Sequence, residues 1–174
     1  MPPILLVPGH QDSGPGHWQT LWEGTRADIW RVSMPNWAFP RKTEWVEALE
    51  EAIAVCPSPP VLVGHALGCL AIVHWAEQYQ REVRGALLAV PTDVERSDTP
   101  AVLRGFAPIP RRTLPFPAIL AASSNDASLD LDRARALAVD WGARFVDLGP
   151  CGHLDAASGH GEWPLGEALL QELR

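Results

Sequence analysis

Short, nearly unbroken apolar runs alternate along this chain with longer stretches whose apolar residues recur every three or four positions. The runs Ile4–Val7, Ile29–Val32, Val61–Gly64, Ala86–Val90, Ala118–Ala122 and Arg144–Leu148 are too short for helices. Their near-continuous hydrophobicity suits strands of a parallel sheet covered on both faces. Between them, Trp18–Gly24, Lys42–Val55, Leu67–Gln80, Asp130–Trp141 and Glu162–Leu173 read as helices. Thr43 ahead of Val46 and Leu49, and Asp130 ahead of Leu131, Ala134, Leu137 and Ala138, look like caps that open an apolar stripe. This alternation predicts one α/β domain over residues 1–174, a three-layer sandwich with a mostly parallel sheet of about six strands and no large cap.

The segment Pro91–Pro115 breaks the pattern. It holds Pro91, Pro100, Pro108, Pro110 and Pro115 among Asp93, Glu95, Arg96, Asp98, Arg111 and Arg112, the composition of an irregular excursion over the sheet edge. Such a loop is expected at the rim of a site. A formal net charge of -7 argues against nucleic acid and anionic membrane surfaces as partners. No apolar run approaches the roughly 20 residues that span a bilayer, and Met1–Val7 lacks the basic start of a signal peptide. The three cysteines Cys56, Cys69 and Cys151 show neither paired nor metal-type spacing. A reduced, cytoplasmic protein acting on a small molecule is expected, with oligomeric state open.

Chemistry in a parallel sheet gathers beyond the carboxyl ends of the strands, and three ends here carry candidate groups. The third strand runs into Gly64-His65-Ala66-Leu67-Gly68 and then a helix, the G-x-S-x-G nucleophile turn with alanine at its centre. The fifth ends in Ser123-Ser124-Asn125-Asp126 and the sixth in Pro150-Cys151-Gly152-His153. Turn, then acid, then histidine is the chain order of an acyl-transfer triad. The pattern answers a physical need: a hydroxyl attacks only when a neutral imidazole takes its proton, and a carboxylate must hold that imidazole in the right tautomer. After the first strand, Pro8-Gly9-His10-Gln11-Asp12-Ser13-Gly14 can bring the amide of His10 or Gln11 beside that of Leu67 as an oxyanion hole.

These motifs, with Trp18, Pro35-Asn36-Trp37, Pro91-Thr92-Asp93-Val94-Glu95 and Gly152-His153-Leu154-Asp155-Ala156-Ala157-Ser158-Gly159 followed by Glu162-Trp163-Pro164, resemble the YdeN-type small serine hydrolases over nearly the whole length. The resemblance implies an α/β-hydrolase fold and esterase-type acyl hydrolysis without a cofactor. It implies Asp126 as triad acid, His153 as base and a serine at position 66, where this chain has Ala66. Ser13, Trp18, Trp37 and Trp163 are candidate substrate contacts and cleft walls.

Ala66 admits three explanations. The favoured one is deliberate replacement of the nucleophile in an active hydrolase, which leaves every other motif in place. A natural pseudoenzyme that binds a ligand or protein comes second, because it would have been free to lose Asp126 or His153 as well. A different chemistry comes third. Cys151 is the nearest replacement thiol but has no separate base. His10, His17, His153 and His160 lack the compact spacing of a metal site. Plainer roles compete throughout: Asp126 as a turn residue, His65 packed in the elbow, His74 in a helix, His160 in a loop, and Cys69 buried on the first helical turn.

Overall fold

A computed structural model describes residues 1–174. The chain alternates β1 (Ile4–Val7), α1 (Trp18–Glu23), β2 (Ile29–Arg31), α2 (Lys42–Ala54), β3 (Val61–His65), α3 (Leu67–Gln78), β4 (Gly85–Ala89), β5 (Ala118–Ala122), α4 (Leu131–Trp141), β6 (Arg144–Asp147) and α5 (Pro164–Gln171). The six strands form one sheet in the order β2-β1-β3-β4-β5-β6. Every pairing is parallel.

The period-two alternation of strand side chains sorts the core into two layers. Leu5, Val7, Leu62, Leu88 and Leu120 face one side, where they meet Trp45 and Leu49 of α2, α3, and Leu137 and Trp141 of α4. Ile4, Leu6, Val61, Val63, Leu87 and Ile119 face the other, against Trp18 and Trp22 of α1 and Leu169 and Leu170 of α5. The central strands have no wet face, which explains why they read as unbroken apolar runs. The edge strand β6 keeps Arg144 and Asp147 exposed.

Two capping expectations change in detail. Asp130 does occupy the residue before α4, but its carboxylate makes no cap bond and stands 3.7 Å from Arg96 Nη1. Before α2 the capping position falls on Arg41 rather than Thr43, again with no side-chain bond. The Pro91–Pro115 excursion is more structural than a rim loop. It contains a 3₁₀ turn, Ala101–Phe106, and sends Leu103, Phe106, Ile109 and Leu114 into the core. His74 Nε2 bonds the Phe106 carbonyl at 2.7 Å, a structural tie that fixes this segment to α3.

The chain reverses direction of travel across the sheet between β1 and β3, neighbours in register at Val7 and Gly64. At such a switch point the loops leaving the two strands diverge and open a crevice beyond their carboxyl ends. The loop that begins at Pro8 and the turn at Ala66 are those two loops.

Candidate active site

The turn after β3 is built by close backbone approach. Ala66 sits at φ 53° and ψ −118°, a conformation costly for any residue with a Cβ. It is held there because its N–H donates to the Ala89 carbonyl at 3.0 Å and its own carbonyl accepts from Cys69 N at 3.0 Å. A Cβ at Gly68 would stand 1.9 Å from the Val7 carbonyl oxygen and 2.7 Å from that of Pro8. Only glycine lets α3 start hard against the end of β1. Gly64 is confined likewise, with Cys69 backbone atoms 3.0 Å from the place its Cβ would take.

The first loop closes over the same spot. A Cβ at Gly9 would lie 3.2 Å from the Ala66 methyl and 3.3 Å from the Leu67 nitrogen. The glycine therefore leaves the Leu67 amide uncovered. Of the two proposed partner amides, Gln11 N–H donates to the Trp37 carbonyl at 3.1 Å, whereas His10 N–H has no protein acceptor. Gln11 is thereby committed to holding the loop, at φ 70°.

Asp126 and His153 meet across the ends of β5 and β6. His153 Nδ1 lies 3.0 and 3.1 Å from the two Asp126 carboxylate oxygens. The Asp126 side chain is fully buried while that of His153 keeps 32% exposure. Asp126 also serves its own turn, since Oδ1 accepts from Ser128 N at 2.9 Å and Ser128 Oγ at 3.0 Å. The turn bonds orient the carboxylate that orients the imidazole. His153 Nε2 has no protein partner and is not among the buried orphan atoms, so solvent reaches it.

Burial works to lower the His153 pKa, but the bond and charge of Asp126 and the charge of Asp155 outweigh it, and the net shift is upward. The loop bearing His153 is fixed by groups that sequence reasoning passed over. Asn125 Oδ1 accepts from Gly152 N at 2.7 Å, Ser123 Oγ accepts from Cys151 N at 2.9 Å, and His65 Nε2 donates to the His153 carbonyl at 2.9 Å. The polar cluster Ser123–Asp126 is the sequence signal for the first two of these ties.

His65 lies between two other imidazoles, edge-on to His17 at a centroid distance of 4.5 Å and tilted against His153 at 5.0 Å. Burial holds His17 down at about 4 and His65 well below its usual value, so both are neutral at pH 7.

Three proposed substrate contacts are instead part of the interior. Trp18 is 1% exposed and donates Nε1 to the Leu154 carbonyl at 2.9 Å. Trp163, 4% exposed, lies over Gly166 and stacks on Trp22. Neither can wall an open cleft, because its indole faces are already covered by core side chains. Ser13 is buried with Oγ donating to Gln19 Oε1 at 2.7 Å. Trp37 remains half-buried beside the first loop. Cys69 is buried and its thiol donates to the Ala89 carbonyl. Burial raises both the Cys69 and the Cys151 thiol, which disfavours the thiolate at either place. His160 Nε2 bonds the Cys151 carbonyl at 2.9 Å, a loop tie.

No three His, Cys, Asp or Glu side chains are grouped to hold a metal ion, and no helix is long and apolar enough to cross a membrane. A cavity of about 450 Å³ opens at the far end of α3, between Tyr79, Val83, Leu114 and Phe116, and touches none of Ala66, Asp126 and His153.

The family model described as serine hydrolase matches residues 4–172. A YdeN-like hydrolase of Pectobacterium atrosepticum is 32% identical, with a TM-score of 0.88 over 98% of this chain and 89% of that one. The YdeN protein of Bacillus subtilis is 31% identical over 94 residues, 50% of this chain. That match spans 48%, about half, of the curated relative's own length. The solved ydeN gene product of B. subtilis shares the fold at a TM-score of 0.83, covering 99% of this chain and 98% of that one at 22% identity.

Proposed function

The chain belongs to the serine hydrolase family, in its YdeN-type branch of small α/β hydrolases, and from that premise we propose that its crevice binds carboxylic esters or related acyl compounds. The observation that carries the reading is the Asp126–His153 pair at 3.0 Å, on a strand-end loop tied by His65 to the turn that bears Ala66.

With a serine at 66, His153 Nε2 takes the hydroxyl proton as Oγ attacks the acyl carbon. Asp126 holds Nδ1–H and stabilises the imidazolium. The tetrahedral oxyanion forms against the amides of Leu67 and His10, the latter preferred because it alone of the two loop candidates has no other acceptor. His153 then protonates the leaving alcohol, and water repeats the sequence on the acyl-enzyme. No cofactor takes part.

Ala66 has no attacking oxygen, so the covalent route is closed to this chain, a loss on the order of 10⁶ in rate. Retention of the turn, acid, base and donor amides around one absent hydroxyl supports a replacement confined to position 66. The methyl group itself favours the second reading, a module that binds an acyl ligand or protein without turnover. Ala66→Ser separates them. Hydrolysis of p-nitrophenyl acetate and labelling by a fluorophosphonate are expected. A folded Ala66→Ser protein inert to both would leave the binding module.

A further inference from the structure

The segment Pro35–Pro40 is attached to the oxyanion loop more firmly than a surface loop needs to be. The Trp37 carbonyl accepts Gln11 N–H at 3.1 Å and the Ala38 carbonyl accepts His10 Nε2 at 3.0 Å. Asn36, at φ 52°, turns its Oδ1 onto Phe39 N at 3.1 Å. Pro40 follows Phe39 and restricts it to extended backbone. Phe39 itself is 64% exposed. Trp37, half-buried beside it, rests edge-on against Trp45 at 5.6 Å. An apolar ring is thus held in water on a locked backbone, next in sequence to Ala38, whose carbonyl grips the side chain of His10, the proposed oxyanion donor.

We propose that Phe39 with Trp37 forms an apolar shelf for the non-reacting part of the substrate, so that the site takes esters bearing an aromatic or extended aliphatic group rather than acetate-sized ones. Resting on the acyl-hydrolase reading, this adds the substrate class. The shelf contributes by covering apolar surface as the ester binds, and because its backbone is already ordered, little conformational freedom is lost on binding.

Two measurements test it. In the Ala66→Ser background, the ratio of kcat/KM for p-nitrophenyl phenylacetate over p-nitrophenyl acetate should fall roughly tenfold in Phe39→Ala and largely recover in Phe39→Leu. An unmoved ratio overturns the shelf while leaving the hydrolase reading intact. The second uses the chain as it stands: saturation-transfer NMR should show methyl phenylacetate binding better than methyl acetate, with Phe39→Ala erasing the preference. If Ala66→Ser hydrolyses neither ester, the catalytic reading falls. The binding preference still decides the shelf, and equal binding by Phe39→Ala and its parent overturns it.

Discussion

His65, the residue between Gly64 and Ala66, donates Nε2–H to the backbone carbonyl of His153 at 2.9 Å. The turn that presents position 66 thereby holds the loop that presents the imidazole, through one bond between residues 88 apart in sequence. The bond is largely shielded from solvent, and losing a buried partner of this kind costs about 1–3 kcal/mol. His65→Leu in the Ala66→Ser background is expected to lower kcat on the order of tenfold with little change in KM. His65→Gln, which can still reach the carbonyl, should recover part of the loss. Amide exchange at Gly152–Leu154 in the unaltered chain gives a readout independent of turnover, and should quicken in His65→Leu.

In Ala66→Ser the raised pKa of His153 should set the acid limb of activity. Only neutral imidazole can accept the serine proton, so kcat/KM of Ala66→Ser should climb with pH through an inflection above 6.5. Asp126→Asn removes the charge that raises it, so the inflection should move down while the rate drops, by roughly 10⁴ where such an acid has been replaced elsewhere. Because the folded value lies above the unfolded one, the pair's contribution to stability is complete below 6.5 and fades as pH rises through the folded value.

His17 and His65 act in the opposite sense. Both are held neutral by burial, with folded values below 6.5. Their contribution is present above 6.5 and is lost as pH falls, for His17 through about 4. For His17 the difference amounts to something on the order of 3 kcal/mol. His17 Nδ1 accepts from Gln19 N at the start of α1, a role asparagine can also fill. His17→Asn should therefore lose less stability than its parent between pH 6.5 and 4.5 in urea titrations. An equal loss in both would place the acid sensitivity elsewhere.

The six strands, five helices and the order of turn, acid and histidine were legible because each rests on local chemistry. Unbroken apolar runs mark doubly covered strands, and the glycines at 64 and 68 mark a backbone that admits no Cβ. For Trp18 and Trp163 the expectation fails for a physical reason. An indole suits a core as well as a cleft, and composition cannot tell which of its faces another element covers. Trp18 and Trp163 became interior once α1 and α5 were seen to share one face of the sheet. The choice between His10 and Gln11 depended on where one amide pointed, a matter of three-dimensional pairing. The loop ties of His65 and Asn125 are not legible in sequence because each works through the backbone of a distant loop.

The packing of Gly68 against Val7 and Pro8 binds the start of α3 and the end of β1 into one frame, and the side chain at 66 takes no share in holding that frame together. What stands there is an interchangeable fitting. Serine or cysteine can be installed without disturbing the donors around it, whereas a β-branched threonine would strain a backbone already at φ 53°.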